Sequence, residues 1–501
     1  MAAPQINTDP AVVAAFLSDA AHVPGGFAAG VASPSSATEV AELVCHASRV
    51  LPVGAQSSLT GGATPRGEIV LTTRALTTVE FTGGERVRVG AGVPLGTLQQ
   101  TLAAEGLYFP PVPTYDGAFV GGAIATNAAG AATFKYGSVR RWVEGVTVVL
   151  ASGDVIDVAR GRVLAGRDGM FAVPLPSGAT VRVPAPSYSM PHVAKLSAGY
   201  YAEPAMDLLD LFVGSEGTLG VIVAATLKTI PRPRRCVALV CCRGDAEAIA
   251  LTTALRHEAH RTWRRDGELD VTAIEYMDSR AMNSVPDEAF ARAGVRRPPG
   301  GSVMLLLQIE VGDDEEPALA RLTAVLHACG ISDDPAVAAA EDERGARKLF
   351  DLREAVPASV NALVAAAKVR AHPDIEKTAG DLVVPFDRLE ESIALYRRVF
   401  EGRGLEYAIW GHVSDGNLHP NVIPRSLDDV QSGREGILEI AREVIRMGGA
   451  PLAEHGVGRS PLKQRLLREL YGEEGIEQMR AIKRALDPEW KLAPGVLFPG
   501  P

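Results

Sequence analysis

The sequence predicts an α+β fold with more than one domain, and three observations along the chain indicate it. Residues 35–233 alternate short β-like runs such as "RVRVGAGV" with glycine-rich turns and helical stretches. Residues 234–405 repeat an apolar strand beside an alanine-rich helix, which is typical of an antiparallel sheet with helices on one face. Residues 406–501 return to glycine-bearing loops and end in a proline-rich stretch. We expect this last segment to dock on the first domain.

The length of the chain, 501 residues, favours two or three domains because a single hydrophobic core rarely grows so large. Residues 1–34 precede the first strong pattern and are predicted to form an N-terminal extension with a helix. The boundary between the first and second domains falls at "PRPRR", where prolines and arginines interrupt both periodicities. The second boundary is placed at 405/406, where the glycine-bearing loops resume.

Composition and charge disfavour several classes of protein. A net charge of −10 disfavours a nucleic-acid partner. The five cysteines form no C-x-x-C pair, which disfavours an iron–sulfur cluster or a disulfide framework and fits a reducing compartment. The first 48 residues contain no Lys or Arg, and no apolar run reaches membrane-spanning length. We therefore expect a cytoplasmic protein without a transmembrane segment.

Three glycine-rich loops occur in the first domain. The loop "PVGAQSSLTGGATPRG" has glycines and small hydroxyl residues, which allow consecutive backbone N–H groups to point at one phosphate. Taken alone, it is at least as well explained as a glycine-rich surface turn. The other two loops are "FPPVPTYDGAFVGGAIATNAAG" and "DLLDLFVGSEGTLGVIVAATL". Neither matches G-x-G-x-x-G after a strand or G-x-x-x-x-G-K-[ST], so a Rossmann nicotinamide site and a P-loop are disfavoured.

Three of the 10 histidines lie in two short stretches, "GHVSDGNLHPN" and "AEHGVGRSP". His412 and His419 are seven residues apart, so on one regular strand they would face opposite sides. The Asp-Gly turn between them predicts a fold-back that brings both imidazoles to one point. Together with Glu454 they form a ligand set for zinc or another first-row divalent ion. The alternative is that one histidine caps a turn and the other packs in the core.

The three glycine loops, in this order, resemble the FAD-binding domain of the vanillyl-alcohol oxidase (PCMH-type) flavoprotein superfamily. With "HVSDGNLH", "EHGVG" and "ALDPEWKLAPG", the chain from about residue 35 to 498 is similar to one branch of it. That branch holds D-lactate dehydrogenase (cytochrome), a subunit of glycolate oxidase, and D-2-hydroxyglutarate dehydrogenase. The chain departs from the family pattern at "NAAG", "SDGN" and Ala493, where the family usually has N-A-G-G, G-D-G-N and Asn.

The resemblance implies a two-part FAD-binding domain, a substrate (cap) domain with an antiparallel sheet covered by helices, and a C-terminal segment returning to the flavin domain. It also implies non-covalent FAD, because the glycine loops contain neither the histidine nor the cysteine to which some members attach the flavin. The loop from Gly54 to Gly62 would bind the pyrophosphate. The implied cofactor residues are Gly54, Ala55, Gln56, Ser57, Ser58, Gly61, Gly62, Pro110, Gly121, Gly122, Thr126, Asn127, Glu216, Gly217 and Ile222. The last three would hold the adenine and ribose.

The resemblance assigns the metal to His412, His419 and Glu454, with zinc, manganese and iron all compatible with these ligands. His455 would take the hydroxyl proton of the substrate as a base. Further implied substrate residues are Arg353 and Lys377, for the carboxylate, and Asn421. The alternative for Arg353 is a solvated position on a charged helix.

The implied function is an FAD- and metal-dependent dehydrogenase that oxidises a D-2-hydroxy acid, D-lactate-like, to the 2-oxo acid. Its electrons would pass to an external cytochrome, quinone or electron-transfer flavoprotein, because the chain has no haem or cluster motif of its own. Such an acceptor would place the protein in the cytoplasm or peripherally on the inner membrane. Three alternatives stay open: a flavin oxidase, a non-redox relative resembling alkyl-dihydroxyacetone-phosphate synthase, and a catalytically silent flavin- and metal-binding protein. The oligomeric state also stays open, a homodimer being one alternative.

Overall fold

The structure, a computed structural model, describes residues 5–111, 113 and 115–500. Within these ranges the first domain contains twelve strands, most of them short: β1 (Gly30–Ala32), β2 (Val50–Val53), β3 (Ile69–Thr72), β4 (Val79–Phe81), β5 (Arg86–Gly90), β6 (Leu107–Tyr108), β7 (Val143–Val149), β8 (Val155–Ala159), β9 (Met170–Pro174), β10 (Thr180–Pro184), β11 (Val221–Lys228) and β12 (Ile230–Pro231). Its helices are α1 (Pro10–Ala14), α2 (Ala37–His46), α3 (Leu95–Ala104), α4 (Val120–Ala125), α5 (Thr133–Tyr136) and α6 (Leu209–Phe212).

The two largest sheets among the described residues of the first domain organise it. One is a three-stranded parallel sheet with the order β1-β3-β2, and the other is antiparallel with the order β4-β5-β11-β7-β8. The helix α2 is capped by Ser36, whose side chain accepts a hydrogen bond from the backbone N–H of Glu39. The Glu39 carboxylate in turn accepts from the N–H of Ser35, so this helix start resembles a capping box shifted by one residue.

The N-terminal prediction is only partly correct. The helix α1 lies within residues 1–34, but β1 pairs in parallel with β3 and belongs to the sheet of the first domain. The predicted start at residue 35 is therefore too late. The pairing joins Gly30 to Ile69, a separation along the chain that local periodicity does not reveal.

The second domain is built on one large sheet. Its strands are β13 (Arg234–Cys242), β14 (Asp270–Met277), β15 (Val303–Val311), β16 (Ala336–Ala338), β17 (Thr378–Ala379), β18 (Leu382–Val383), β19 (Tyr407–His412) and β20 (Asn417–Val422). The order is β16-β13-β15-β14-β19-β20-β17, with β18 also paired to β20, and every pairing is antiparallel. The helices are α7 (Asp245–Trp263), α8 (Ser279–Ser284), α9 (Asp287–Ala293), α10 (Glu316–Ala328), α11 (Glu343–Arg370), α12 (Leu389–Gly402) and α13 (Leu427–Arg446).

Helices cover both faces of this sheet, whereas the sequence predicts them on one face. On one side, alternate β13 residues such as Ala238 and Val240 pack with α7, α10, α12 and α13. On the other side, Val237 and Leu239 pack with α8, α9 and α11. A strand that is buried on both faces reads as a continuous apolar run, so "CVALVCC" carries no sign of the second helical layer.

The predicted boundary at 405/406 is wrong, because it divides this sheet. The strands β19 and β20 lie beyond residue 406, yet β19 pairs with β14. The chain then leaves the sheet through α13 and enters α14 (Pro461–Leu486). The end of α14 and the residues after it pack on the first domain, where the buried Lys483 ammonium donates to Thr218 O and Leu492 bridges to Val50. Within the described ranges, no helix is long and apolar enough to cross a membrane.

The adjacent glycines at the start of α4 differ in the space around them. A Cβ on Gly121 would lie 2.6 Å from Ala91 Cβ, whereas a Cβ on Gly122 would meet no atom of the described residues within 4 Å. We expect Gly121→Ala to destabilise the cofactor-free protein by about 1–3 kcal/mol through overpacking. Gly122→Ala is the matched control and should leave the thermal unfolding midpoint unchanged or raise it, because Ala favours a helix. Equal midpoints for the two variants would contradict the packing of α4 on Ala91, the residue that follows β5.

Candidate active site

A cleft of about 310 Å³ opens between the glycine loops of the first domain and the "EHGVG" loop. Twelve of the fifteen predicted cofactor residues line it: Gly54, Ala55, Gln56, Ser57, Ser58, Gly62, Gly121, Gly122, Thr126, Glu216, Gly217 and Ile222. Glu454 and His455 line the same cleft. The cleft therefore joins the glycine loops to the proposed metal and base residues.

The backbone of the first loop has the form of an anion cradle. The N–H groups of Ala55, Gln56 and Ser57 donate to no other protein group in the described part of the chain. Gln56 has a φ of 52°, and such a left-handed residue turns successive N–H groups toward one point. These donors fit the pyrophosphate of a dinucleotide cofactor.

The three remaining cofactor predictions are not in the cleft lining. Gly61 packs on Val23, and Pro110 is buried outside the cleft. Asn127 has its amide engaged within the protein, since it donates to Leu196 O at 3.1 Å and accepts from Arg140 N at 3.1 Å. In this structure Asn127 therefore braces neighbouring loops.

The hairpin of β19 and β20 contains the turn that the sequence predicts. Residues Val413–Asp415 form a 3-10 turn, and Gly416 follows with a φ of 80°. In the register, His412 lies opposite Asn417 and Trp410 opposite His419, so both histidines lie on the same face. Their ring centroids are 5.6 Å apart.

Glu454 approaches this pair from the C-terminal segment. Its Oε1 lies 3.1 Å from His412 Nε2, and its Oε2 lies 3.7 Å from His419 Nε2. Two ligands of one tetrahedral zinc ion, each about 2.1 Å from it, are separated by about 3.4 Å, so the donor set fits a metal. A second group with atoms within 4.8 Å of one another consists of Asp381, His419 and His455, and it shares His419 with the first.

Behind His412 lies a buried carboxylate that sequence reasoning missed. Glu275 Oε1 is 2.7 Å from His412 Nδ1, which leaves Nε2 to face Glu454. Such carboxylate–histidine pairs fix the imidazole of a metal ligand. Burial alone would lower the pKa of His412, but Glu275 and Glu454 together raise this pKa to about 9.

Arg353 lies behind Glu275 and is buried, so the alternative of a solvated arginine is wrong. Its Nε and one terminal nitrogen donate to Glu275 Oε2 at 3.1 and 2.9 Å, and the other terminal nitrogen donates to Glu354. Lys377 is exposed, donates to Asn361 Oδ1 at 2.9 Å and lies 5.9 Å from the Trp410 ring. The structure therefore places Lys377 beside the histidine pair and Arg353 in contact with Glu275.

His455 lies at the edge of the cleft with its ring stacked on His419 at a centroid distance of 5.3 Å. Burial lowers the pKa of His455, with Asp381 opposing and Lys463 reinforcing the shift. The ring is therefore neutral at pH 7 and able to accept a proton. Asn421 shares the face of His419 on β20, and its amide donates to His419 O at 2.6 Å.

Two carboxylates hold the loop that carries Glu454 and His455. Asp381 Oδ2 accepts the backbone N–H of both residues at 2.9 Å. Glu216, which the resemblance assigns to adenine and ribose, accepts the N–H groups of Val457 and Gly458 at 2.8 Å. Its carboxylate therefore holds this loop at the cleft wall.

Comparison with known proteins agrees with this geometry. Residues 28–159 match an FAD binding domain, and residues 251–497 match the C-terminal domain of FAD linked oxidases. D-lactate dehydrogenase of Archaeoglobus fulgidus is 30% identical over 474 residues, covering 93% of this chain and 90% of that protein. The chain belongs to this family of FAD-linked oxidoreductases. The predicted PCMH-type recognition is thus confirmed.

Other members of the family are similar over the same length. Glycolate oxidase subunit GlcD of Bacillus subtilis and D-2-hydroxyglutarate dehydrogenase of Xanthomonas citri are each 28% identical, covering 93% of this chain and 88% and 89% of their own. Alkyldihydroxyacetonephosphate synthase structures in two crystal forms give TM-scores of 0.59 and 0.57 at 14% identity, covering 93% of this chain and 76% and 77% of theirs. That likeness confirms the predicted fold class alone.

Three residues at the site of this FAD-linked oxidoreductase were not predicted: Glu275, Asp381 and Lys195. Each is a charged residue within an apolar stretch, "VTAIEYM", "GDLVVP" or "HVAKLSAGY", and that contrast is the signal that could have found them. Lys195 is buried and forms ion pairs with Glu454 and Asp415. Burial raises the pKa of Glu454, but His412 and Lys195 together hold this pKa well below its ordinary value.

Glu216 gives the site a pH-dependent contribution to stability. Burial raises the pKa of Glu216 from 4.5 to about 7, against the opposing effect of the two loop N–H groups. The folded protein therefore binds this proton more tightly than the unfolded chain, and the stabilisation is present below about pH 4.5 and lost as the pH rises through about 7. The difference in thermal midpoint between wild type and Glu216→Gln should therefore decrease as the pH rises from about 4.5 to about 7. Exposed Glu105→Gln is the matched control, and a flat difference for Glu216→Gln would contradict the assignment.

Proposed function

We propose that this FAD-linked oxidoreductase is a dehydrogenase that oxidises a D-2-hydroxy acid to the 2-oxo acid, with His455 as the base at a divalent metal centre. One observation carries the proposal: the adjacent residues Glu454 and His455 line the cofactor cleft, and Glu454 also completes the His412–His419 group. A substrate bound at this dipeptide would contact both the ion and the flavin. Oxidation of an alcohol removes a hydride and a proton from the same molecule, and it requires this arrangement.

The cofactor would be held by the N–H groups of Ala55, Gln56 and Ser57, which have no partner in the described part of the chain, and by the cleft-lining residues of the other two glycine loops. When bound, FAD supplies the acceptor for the hydride that leaves C2 of the hydroxy acid. The cleft lining contains no cysteine, and its one histidine among the described residues is His455. This supports non-covalent binding, since His455 is needed as the base.

His412, His419 and Glu454 would hold the metal, for which zinc is our first choice from the ligand set. When bound, the ion supplies a Lewis acid that polarises the substrate hydroxyl. Glu275 keeps Nε2 of His412 directed at Glu454, and Asp381 holds the backbone of Glu454. These contacts preserve the ligand geometry without help from the substrate.

His455 receives the hydroxyl proton as the C2–H bond breaks. The hydrogen of C2 leaves as a hydride with both electrons of that bond, and the hydroxyl proton stays on the imidazole. Stacking on His419 and the 3.4 Å approach of its Nδ1 to Asp381 Oδ2 orient the ring. Its depressed pKa keeps the ring neutral before the reaction. Asn421, on the same strand face as His419, would contact the substrate.

We assign the substrate carboxylate to Lys377, because each of the three guanidinium nitrogens of Arg353 already donates to Glu275 or Glu354. Lys377 lies over Trp410, which is opposite His419 in the sheet. Its ammonium therefore stands beside the histidine pair, where a carboxylate next to a reacting hydroxyl would lie. The relatives named for D-lactate, glycolate and D-2-hydroxyglutarate support a 2-hydroxy acid. We propose a cytochrome, a quinone or an electron-transfer flavoprotein as the acceptor.

The decisive test is anaerobic visible absorbance of the FAD-loaded, metal-replete protein with D-lactate, L-lactate, glycolate and D-2-hydroxyglutarate. We expect loss of the oxidised-flavin band with one D-acid. His455→Ala should slow this reduction by about 100- to 10,000-fold, the usual contribution of a general base, while FAD content stays normal.

Exposed His327→Ala is the matched control and should reduce its flavin at the wild-type rate. Normal reduction in His455→Ala would refute the base assignment. If no acid bleaches a yellow wild-type protein, then the dehydrogenase proposal fails and a non-redox or silent flavoprotein is favoured. Rapid reoxidation by dioxygen with peroxide formation would favour an oxidase.

Lys377→Met and Arg353→Met should separate substrate binding from support of the metal site. We expect Lys377→Met to raise KM for the acid by about 10-fold or more, because a charge-assisted contact to the carboxylate is lost, with metal content unchanged. Arg353→Met should lower metal content and thermal midpoint, because it leaves Glu275 buried without its cation. Measurement of KM, metal content and midpoint for both variants checks this assignment, and a pure KM effect in Arg353→Met would reverse it.

A further inference from the structure

The buried ammonium of Lys195 connects three parts of the site. Its side chain is 0% exposed, and Nζ donates to Glu454 Oε1 and pairs with Asp415 Oδ2 at 3.0 Å. It also donates to Gly130 O at 3.4 Å. These partners belong to the C-terminal loop, the turn of the β19–β20 hairpin and the second glycine loop. Lys195, a residue of the first domain, therefore contacts the carboxylate of a proposed metal ligand, the hairpin turn and a cofactor loop.

The backbone just after Lys195 is fixed at two points. The Asn127 amide donates to Leu196 O at 3.1 Å, and Ser197 N donates to Leu452 O at 3.0 Å. The first contact ties this segment to the second glycine loop, and the second ties it to the residues just before Glu454. The ammonium is thus delivered from a braced segment, so its position does not depend on a flexible loop.

The position of Glu454 depends on this ammonium. The carboxylate has to present one oxygen to each histidine, at 3.1 and 3.7 Å, and rotation about its terminal bond would break that arrangement. In the described part of the chain, Lys195 is the one Lys or Arg side chain paired with Glu454. Asp381 contacts only the backbone of Glu454, so among the described residues Lys195 is the cation outside the proposed ligands that holds the carboxylate.

A purely structural ion bridge would be the simpler explanation, and the molecule contains one for comparison. Lys135 of the first domain pairs with Asp270 and Glu310 of the second domain, each at 2.6 Å. Like Lys195, it bridges two carboxylates across domains. None of its partners belongs to either candidate metal group. Lys195 differs in that one of its two carboxylates is Glu454.

We propose that Lys195 is a positioning residue for the metal centre, holding the Glu454 carboxylate in the orientation in which it binds the ion together with His412 and His419. This inference rests on the proposed function, because it requires a metal at these residues. Metal binding would then depend on a fourth residue beside the three ligands, and this residue belongs to the first domain. Loss of the ammonium would leave the three ligands present but Glu454 free to rotate, with the buried Asp415 deprived of its ion pair to Lys195.

The test is equilibrium dialysis of the FAD-loaded protein, stripped of metal, against Zn²⁺ and then Mn²⁺. We expect Lys195→Met to raise the dissociation constant for Zn²⁺ by about 10- to 100-fold, the usual cost of losing a residue that orients a metal ligand. Lys195→Gln keeps a hydrogen-bond donor and should lose less. Lys135→Met is the matched control, and it should lower the thermal midpoint without changing the dissociation constant.

A second readout separates positioning from general damage. Excess Zn²⁺ should restore flavin reduction by the hydroxy acid in Lys195→Met, because the ligands themselves remain, and FAD content should be normal throughout. Zn²⁺ binding in Lys195→Met that equals or exceeds that of wild type would overturn the inference while leaving the metal centre intact. If Lys195→Met does not fold, Lys195→Gln carries the same test. Wild-type protein that binds neither ion would refute the metal centre, and this inference with it.

Discussion

The site depends on how two carboxylates, one from each domain, hold the loop at residues 454–458. Asp381 accepts the first two N–H groups of the loop, and Glu216 accepts the last two. Buried carboxylates are costly unless they receive such donors, and the loop N–H groups would otherwise be unpaired, so each side stabilises the other. The loop can approach closely because Gly456 and Gly458 have φ values of 71° and 58°. A Cβ on Gly458 would lie 2.1 Å from Thr60 Oγ1.

The charged residues around this loop form a connected network. Arg353 pairs with Glu275, Glu275 holds His412, His412 faces Glu454, and Lys195 pairs with Glu454. Removing one member would leave another buried charge without a partner, which is far more costly than losing a surface pair. Such a network holds its side chains in place before any ligand arrives, and that preorganisation suits a site that binds charge developing in a reaction.

The domain arrangement follows from the same contacts. The hairpin of β19 and β20 belongs to the large sheet, the glycine loops belong to the first domain, and the C-terminal segment passes between them. Glu454 and His455 lie at that junction, so one dipeptide can serve both a cofactor cleft and a metal-type group. The substrate would thus be enclosed by residues from both domains, which is a common location for small-molecule sites.

The sequence by itself determined the α+β class and the glycine loops, and it singled out His412, His419 and Glu454 as candidate metal ligands, because periodicity, turn residues and ligand types are local properties. It did not reveal Glu275, Asp381 or Lys195, which act through partners 137, 73 and 259 residues away. It also misplaced the boundary at 405/406, since strand pairing is not local. Only the tertiary structure decided that Arg353 contacts Glu275 and that helices cover both sheet faces, because burial and long-range pairing arise when the whole chain is folded.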